Sequence, residues 1–289
     1  MLITRRGLVT GLGAAGLSAS SLAAYAAGIE PLGLRTTHYR LTPPGWPADR
    51  RLSIAVIADL HAGGPNMGLA QIRHVVDTAQ AERADLIVLL GDYFATHRYI
   101  TEHVPHAAWA AELKRLSAPL GVYAILGNHD WWYDIAGARA ALAAVSVPVL
   151  ENDALLLGAA GRRFWLLGLG DTIAFRLGRG RYVGIDDLPG TLARVTTDDP
   201  VILLAHEPDV FPRVPERVSL TLAGHTHGGQ IRVPFVWQHF VPSRYGARFA
   251  YGHIVEDRRH MIVSGGLGTS FVPMRLGVPP EIVRIELGA

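Results

Sequence analysis

The chain has 289 residues, 49% of them hydrophobic and 18% charged, which excludes a disordered chain and provides for a large buried core. It has no cysteine, so a disulfide framework and a thiolate zinc site are excluded, and any metal must be held by carboxylate, amide or imidazole. Lys plus Arg number 27 against 25 Asp plus Glu, and losing Arg5 and Arg6 with a leader leaves 25 against 25, without the basic footprint of a general nucleic-acid binder.

In chain order, Thr4-Arg5-Arg6-Gly7-Leu8-Val9 opens a run rich in Gly, Ala, Ser and Leu that lasts to about Gly28, with Ala24-Tyr25-Ala26 as a small-residue cleavage site. Residues 1–27 read as a twin-arginine export signal, with an uncleaved N-terminal anchor as the alternative. The export machinery would then be a partner, the location would be the periplasm or cell envelope, and a retained segment would add membrane association. Residues 28–51 carry Pro31, Pro43, Pro44 and Pro47 and read as an extended lead-in with an edge strand around Thr37 to Leu41.

A single domain over 52–289 follows. Leu52 to Ala58 is apolar and strand-like, and Leu69, Ile72, Val75, Val76 and Ala79 recur at helical spacing before a second strand at Leu86 to Leu90. A helix from about His106 to Leu116, a strand at Val122 to Leu126 and a helix from about Ile135 to Val145 extend this α/β pattern. Short strands are expected at Val147 to Leu150, Ala154 to Leu157 and Arg163 to Leu169, paired as a meander, then a helix near Asp187 to Val195. Further strands are expected at Val201, Leu220, Ile231, His253, Met261 and Ile282.

Five of the strand-like runs release into loops that carry metal-binding types: Asp59-Leu60-His61, Gly91-Asp92, Gly127-Asn128-His129-Asp130, His206, and Gly224-His225-Thr226-His227. Each alone is weak, because a strand-end His is more often a hydrogen-bonded structural residue. Together they describe one sheet edge bearing a polynuclear metal site.

This ordered set resembles the calcineurin-like metallophosphoesterase superfamily from Leu52 to the C-terminus. The resemblance implies a four-layer α/β/β/α sandwich with mixed sheets and two divalent ions, for which Asp, Asn and His would accept Mn, Fe, Zn or Ni. By the same resemblance Asp59, His61 and His227 would hold the first ion, Asn128, His206 and His225 the second, and Asp92 would bridge them. The ions would share a nucleophilic hydroxide, and His129 would act as general acid or hydrogen-bond donor. Asp130 would support its loop. Protein serine/threonine phosphatases place a second Asp and an Arg after their Gly-Asp, whereas this chain reads Asp92-Tyr93-Phe94-Ala95-Thr96-His97, which leaves the residue that orients His129 open.

The tail, with Ser264 to Ser270, Pro273-Met274-Arg275 and Pro279-Pro280-Glu281, looks like a bacterial branch of exported or membrane-associated phosphodiesterases that includes a UDP-2,3-diacylglucosamine pyrophosphatase of lipid A synthesis. That implies a small-molecule or lipid-linked diester or diphosphate substrate; the charge balance speaks against nucleic acid, and by their chemistry Arg275 would clamp a phosphate and the glycine N–H groups would approach an anion. Tight-turn packing is the alternative for that loop. Arg98, Arg244 and Arg248 are weaker anion candidates, and His97, His103 and His106 are expected to be solvent-facing. Aromatics at Tyr93-Phe94, Trp131 to Tyr133 and Phe235 to Phe240 are expected mostly in the core, with a lipid-facing rim as the alternative. A non-catalytic metal-bound envelope module is the other class of function; the complete ligand set and His129 favour an enzyme.

Overall fold

The computed structural model describes residues 20–235 and 237–288, so Arg5 and Arg6, which carry the export reading, lie outside the described residues. The first half runs β1 (Arg35–Leu41), β2 (Leu52–Ile57), α1 (Leu69–Ala81), β3 (Leu86–Leu89), α2 (His106–Leu113), β4 (Val122–Ala124), α3 (Asn128–Tyr133) and α4 (Ile135–Ala144). The second half adds β5 (Asp153–Leu157), β6 (Phe164–Gly168), β7 (Phe175–Gly178), β8 (Arg181–Val183), α5 (Leu188–Ala193), β9 (Val201–Leu204), β10 (Leu220–Ala223), β11 (Gly252–Glu256), β12 (Arg259–Val263) and β13 (Glu281–Leu287).

Two sheets face each other. The first has the order β1-β13-β2-β3-β4 and the second β11-β12-β10-β9-β6-β5. Alternation along β2 shows why they stack: Ala55 and Ile57 join Ile72, Val75 and Val76 of α1, whereas Ile54 and Val56 meet Ile202, Leu204 and Leu222 of the second sheet. A third apolar layer sets Val201, Leu203 and Val263 against Leu188 of α5 and Val210 and Phe211. Three apolar layers between helix, sheet, sheet and helix make the four-layer sandwich that the resemblance implies. Each fully buried Ile or Leu in them contributes roughly 1.5–3 kcal/mol.

Of the expected meander, β5 and β6 pair antiparallel as a hairpin, but the rest of the sheet is built differently. Strands β6, β9, β10 and β12 are parallel, and only the outer strands β5 and β11 run antiparallel. Val201 to Leu204 is buried throughout, as a parallel strand covered on both faces should be. Two expected strands shrink to single bridges, Val149 to Ala124 and Ile231 to Leu276, with Pro148 beside one and Pro234 near the other to interrupt a ladder. The hairpin β7–β8 was not expected; it forms a separate two-stranded sheet of exposed residues. At the start, the edge strand of the lead-in pairs parallel with β13, and residues 20–28 are helical, with the Ala26 carbonyl accepting the Arg275 N–H at 2.8 Å. Among the described residues no helix is long and apolar enough to cross a membrane.

Candidate metal centre

The parallel strands β2, β3 and β4 of one sheet and β9 and β10 of the other all deliver their chemistry at carboxyl ends, where open α/β sheets present loops to ligands. Asp59 and His61 follow β2, Asp92 follows β3, Asn128 follows β4, His206 follows β9, and His225 and His227 follow β10. The Gly-Asn-His-Asp motif is not a plain loop: Gly127 turns the chain and Asn128 begins α3. Asp130 ties this turn down, accepting N–H groups from Gly127, Asp92 and Tyr93 at 2.9 Å each. The loops approach so closely that a Cβ at Gly127 would run into Asp92 Oδ1, and one at Gly91, where φ is +90°, into the Gly127 backbone.

Five of the ligand-type residues occupy left-handed backbone, with φ of 53° at Asp59, 42° at His61, 57° at Asp92, 68° at His225 and 49° at His227. Each costs on the order of 1 kcal/mol or more, a cost met by the surrounding packing and returned as fixed side-chain direction.

Donor atoms converge in two groups. In the first, His61 Nε2 and His227 Nε2 stand 3.1 Å apart, with Asp59 Oδ1 3.8 Å from His227 Nε2. In the second, Asn128 Oδ1 lies 2.8 Å from His225 Nδ1 and 3.1 Å from His206 Nε2. Asp92 Oδ2 sits between the groups, 3.5 Å from His61 Nε2 and 3.3 Å from His206 Nε2. All seven ligand candidates lie in these groups, and His129 also comes within reach of His61 and Asp92.

The donor chemistry fits cations. His225 gives its Nε2 hydrogen to the Pro242 carbonyl, and burial keeps the ring neutral, so a bare Nδ1 lone pair faces the Asn128 oxygen lone pair with no hydrogen between them. A cation resolves that repulsion. His61 is pulled down to about 3 and His227 well below its ordinary value, both chiefly by burial, which leaves both rings neutral, the form in which imidazole binds a metal. Burial pushes Asp59 up to about 7. Burial also opposes charge on Asp92 and His206, yet their mutual attraction wins, holding Asp92 well below and His206 well above their ordinary values. The His206 Nδ1 bonds the Leu90 carbonyl at 2.6 Å, which aims Nε2 at the cluster.

His129 is held differently. Its backbone N–H bonds Asp92 Oδ1 at 2.8 Å, Thr96 Oγ1 contacts its Nδ1, and Ser270 Oγ lies 3.2 Å from its Nε2. Thr96 and Ser270 therefore do the orienting that the Asp92 to His97 segment left open. Burial draws the ring down to about 4, so it is neutral at neutral pH.

Arg275 is a correction. It is fully buried, and its guanidinium is spent on the carbonyls of Gly265, Gly268 and Val278, with His227 Nδ1 at 3.2 Å, so it braces a ligand loop and does not face a phosphate. The neighbouring glycine loop is likewise packing: Gly265 N–H bonds Glu281, Gly266 N–H bonds Ser264, and Gly268 N–H bonds the Asp59 carbonyl. A cation that does line the cleft is Arg176 of β7, lying 3.6 Å over the Trp132 ring. Its signal in the sequence was Phe175 to Val183, which holds three arginines and no acid. Arg98 and Arg244 also line the cleft, Arg244 paired with Asp209, whereas Arg248 is paired with Glu256. His103 is exposed, His106 packs on Phe94, and His97 is buried against the expectation. Of the aromatics, Tyr93 is core, whereas Tyr133, Phe235 and Phe240 are exposed.

The cleft above the clusters has a volume of about 1100 Å³ and is lined by Asn128, His129 and His225 at the metal side and by Tyr99, Arg176, Tyr182 and Phe271 beyond it. Residues 52–229 match the family model described as calcineurin-like phosphoesterase. An uncharacterized metallophosphoesterase of Bacillus subtilis, YkuE, is 31% identical, covering 98% of this chain and 95% of that one. Phosphodiesterase YaeI of Escherichia coli is 30% identical over 81% of each chain. Among solved structures, the NAD nucleotidase of Haemophilus influenzae superposes with a TM-score of 0.50 at 16% identity, over 75% of this chain and 45% of that one, which is a likeness of fold.

Proposed function

Because the chain belongs to the calcineurin-like phosphoesterase family, whose members use a dimetal centre, we propose that it hydrolyses phosphodiester or diphosphate bonds. Asp59, His61 and His227 would hold one divalent ion, Asn128, His206 and His225 the other, and Asp92 both. Bound there, the pair supplies positive charge for the phosphoryl oxygens and lowers the pKa of water toward neutrality.

The remaining work falls to side chains. His129, fixed from three directions, presents Nε2 at the cluster mouth; with the Thr96 hydroxyl donating to Nδ1, Nε2 carries the hydrogen that meets the leaving oxygen. Arg176 offers charge to a second anionic group of the substrate, set off from the scissile one by the Trp132 ring.

The observation that carries this reading is the union in one cleft of the metal-side residues with a wall of Tyr99, Tyr182, Phe271 and Arg176. A monoester uses only the metal side; a diester or diphosphate, substituted on two sides, uses both. The same wall supports a finer reading, a nucleotide-diphosphate lipid such as UDP-2,3-diacylglucosamine. The test compares kcat/KM for bis-p-nitrophenyl phosphate and p-nitrophenyl phosphate under one Mn²⁺ loading, then for UDP-2,3-diacylglucosamine. The diester should lead; a monoester ahead by tenfold, about 1.4 kcal/mol of transition-state preference, overturns the diester reading.

A further inference from the structure

The hairpin β7–β8 stands apart from both large sheets, and each of its seven strand residues is exposed. It touches the body through aromatic contacts: Arg176 and Tyr182, a register pair, turn onto Trp132, the guanidinium at 3.6 Å and the Tyr182 ring stacked at 5.6 Å. Alternation then sends the neighbouring pair, Phe175 and Val183, to the other face. Phe175 meets Trp131 edge-on, yet stays 47% exposed, with Val183 at 48% and Leu177 at 54%. None of these three belongs to an apolar layer of the fold. Arg179 and Arg181 crown the turn between them, and the nearest acid along the chain, Asp186, is taken by Arg213.

This apolar and cationic projection stands at the mouth of the cleft, because Arg176, Gly180 and Tyr182 also line it. The rim continues in Tyr99, Tyr133 and Phe271, the last 62% exposed, and in Arg98 and Arg244. A small water-facing hairpin gains nothing from three uncovered apolar side chains; a bilayer interface gives them a place to be buried and gives the arginines anionic headgroups. A second copy of the chain is the poorer occupant, since a two-fold contact would bring the arginines of Phe175 to Val183 against their own image with no acid in the hairpin to meet them.

We propose that the β7–β8 hairpin docks the cleft mouth onto an anionic lipid surface, with Phe175, Leu177 and Val183 entering the interface and Arg179 and Arg181 pairing with headgroups. The docking is independent of which phosphoester the cleft cleaves.

The full chain is sedimented with vesicles of equimolar phosphatidylglycerol and phosphatidylcholine, and with vesicles of phosphatidylcholine alone. The parent should partition to the anionic vesicles, and Phe175→Ser, Leu177→Ser and Val183→Ser together should lower that partition by roughly tenfold or more. Arg179→Gln with Arg181→Gln should bring anionic partition down to the phosphatidylcholine level, again about tenfold or more. Both variants should turn over soluble bis-p-nitrophenyl phosphate like the parent, which separates a failure of docking from a failure of the cleft. A triple variant that sediments like the parent overturns the proposal, because binding then resides elsewhere, as in the N-terminal run. So does a parent that ignores vesicles, and so does a parent dimer that the triple substitution converts to monomer, since a second chain then covers the face.

Discussion

Asp92 and His129 are neighbours joined by one hydrogen bond of 2.8 Å, but their side chains solve different problems. Asp92 lies within reach of both imidazole clusters, so Asp92→Asn should remove bound metal and abolish turnover together. His129→Ala should retain the metal and lose most of its kcat, less with a p-nitrophenolate leaving group than with an alkoxide, because a good leaving group develops little charge for the His129 hydrogen bond to stabilise. Metal analysis beside kinetics decides; a His129 variant that loses its metal would overturn the role. Arg176 makes a separable prediction. Arg176→Ala should raise KM for a diphosphate diester by roughly tenfold, about 1.4 kcal/mol, and leave KM for bis-p-nitrophenyl phosphate nearly unchanged, since that substrate has no second anion. Equal losses on both substrates would instead make Arg176 a support for Trp132. At this scale the ligand types and His129 were legible, because donor chemistry is written in residue identity. The anion-facing arginine was not: Arg275 and Arg176 look alike in sequence, and only burial reveals that one bonds three carbonyls while the other faces the cleft.

Helices α1 and α2 are joined by Glu112, which accepts from Arg73 Nε at 2.7 Å and Arg115 Nη1 at 3.1 Å. Those bonds hold its carboxyl below the ordinary 4.5, the Arg73 bond first, against the upward pull of partial burial. A depressed folded-state pKa gives stability that is present above the unfolded value and lost as pH falls through the folded one. Glu112→Gln should therefore lower stability by about 0.5–1 kcal/mol at pH 7, a figure kept small because both arginines are largely exposed, and the difference should fade in strong acid. Urea titrations of parent and variant at pH 7 and in acid test this; a gap that widens on acidification would refute the sign. The α1 pattern was plain in sequence because one apolar stripe serves one sheet face. The β7–β8 hairpin was not, because its alternation sets Arg and Tyr against an aromatic helix and leaves its apolar residues outside, inverting the usual pattern for a strand.

Across the whole molecule the metal centre joins two sheets, with Asp59, His61, Asp92 and Asn128 supplied by loops of the first and His206, His225 and His227 by loops of the second. Metal bound only by the folded state stabilises by mass action, about 2.7 kcal/mol per site at a hundredfold excess over Kd. Dialysis against a chelator should thus lower Tm by roughly 5–10 °C, and Mn²⁺ should restore it; a Tm indifferent to both would separate the clusters from metal binding. The chain's residue order by itself determined the α/β class, the strand ends that carry Asp, Asn and His, and the identity of the donors, because apolar periodicity and ligand chemistry are local properties. Tertiary structure alone decided that the four inner strands of the second sheet run parallel, that Thr96 and Ser270 hold His129, that Arg275 braces while Arg176 faces the cleft, and that five ligand-type residues sit in left-handed backbone. The physical reason is common to all four: each depends on which distant segments approach within hydrogen-bonding or packing distance, and that is set by how two sheets bury their inner faces against each other.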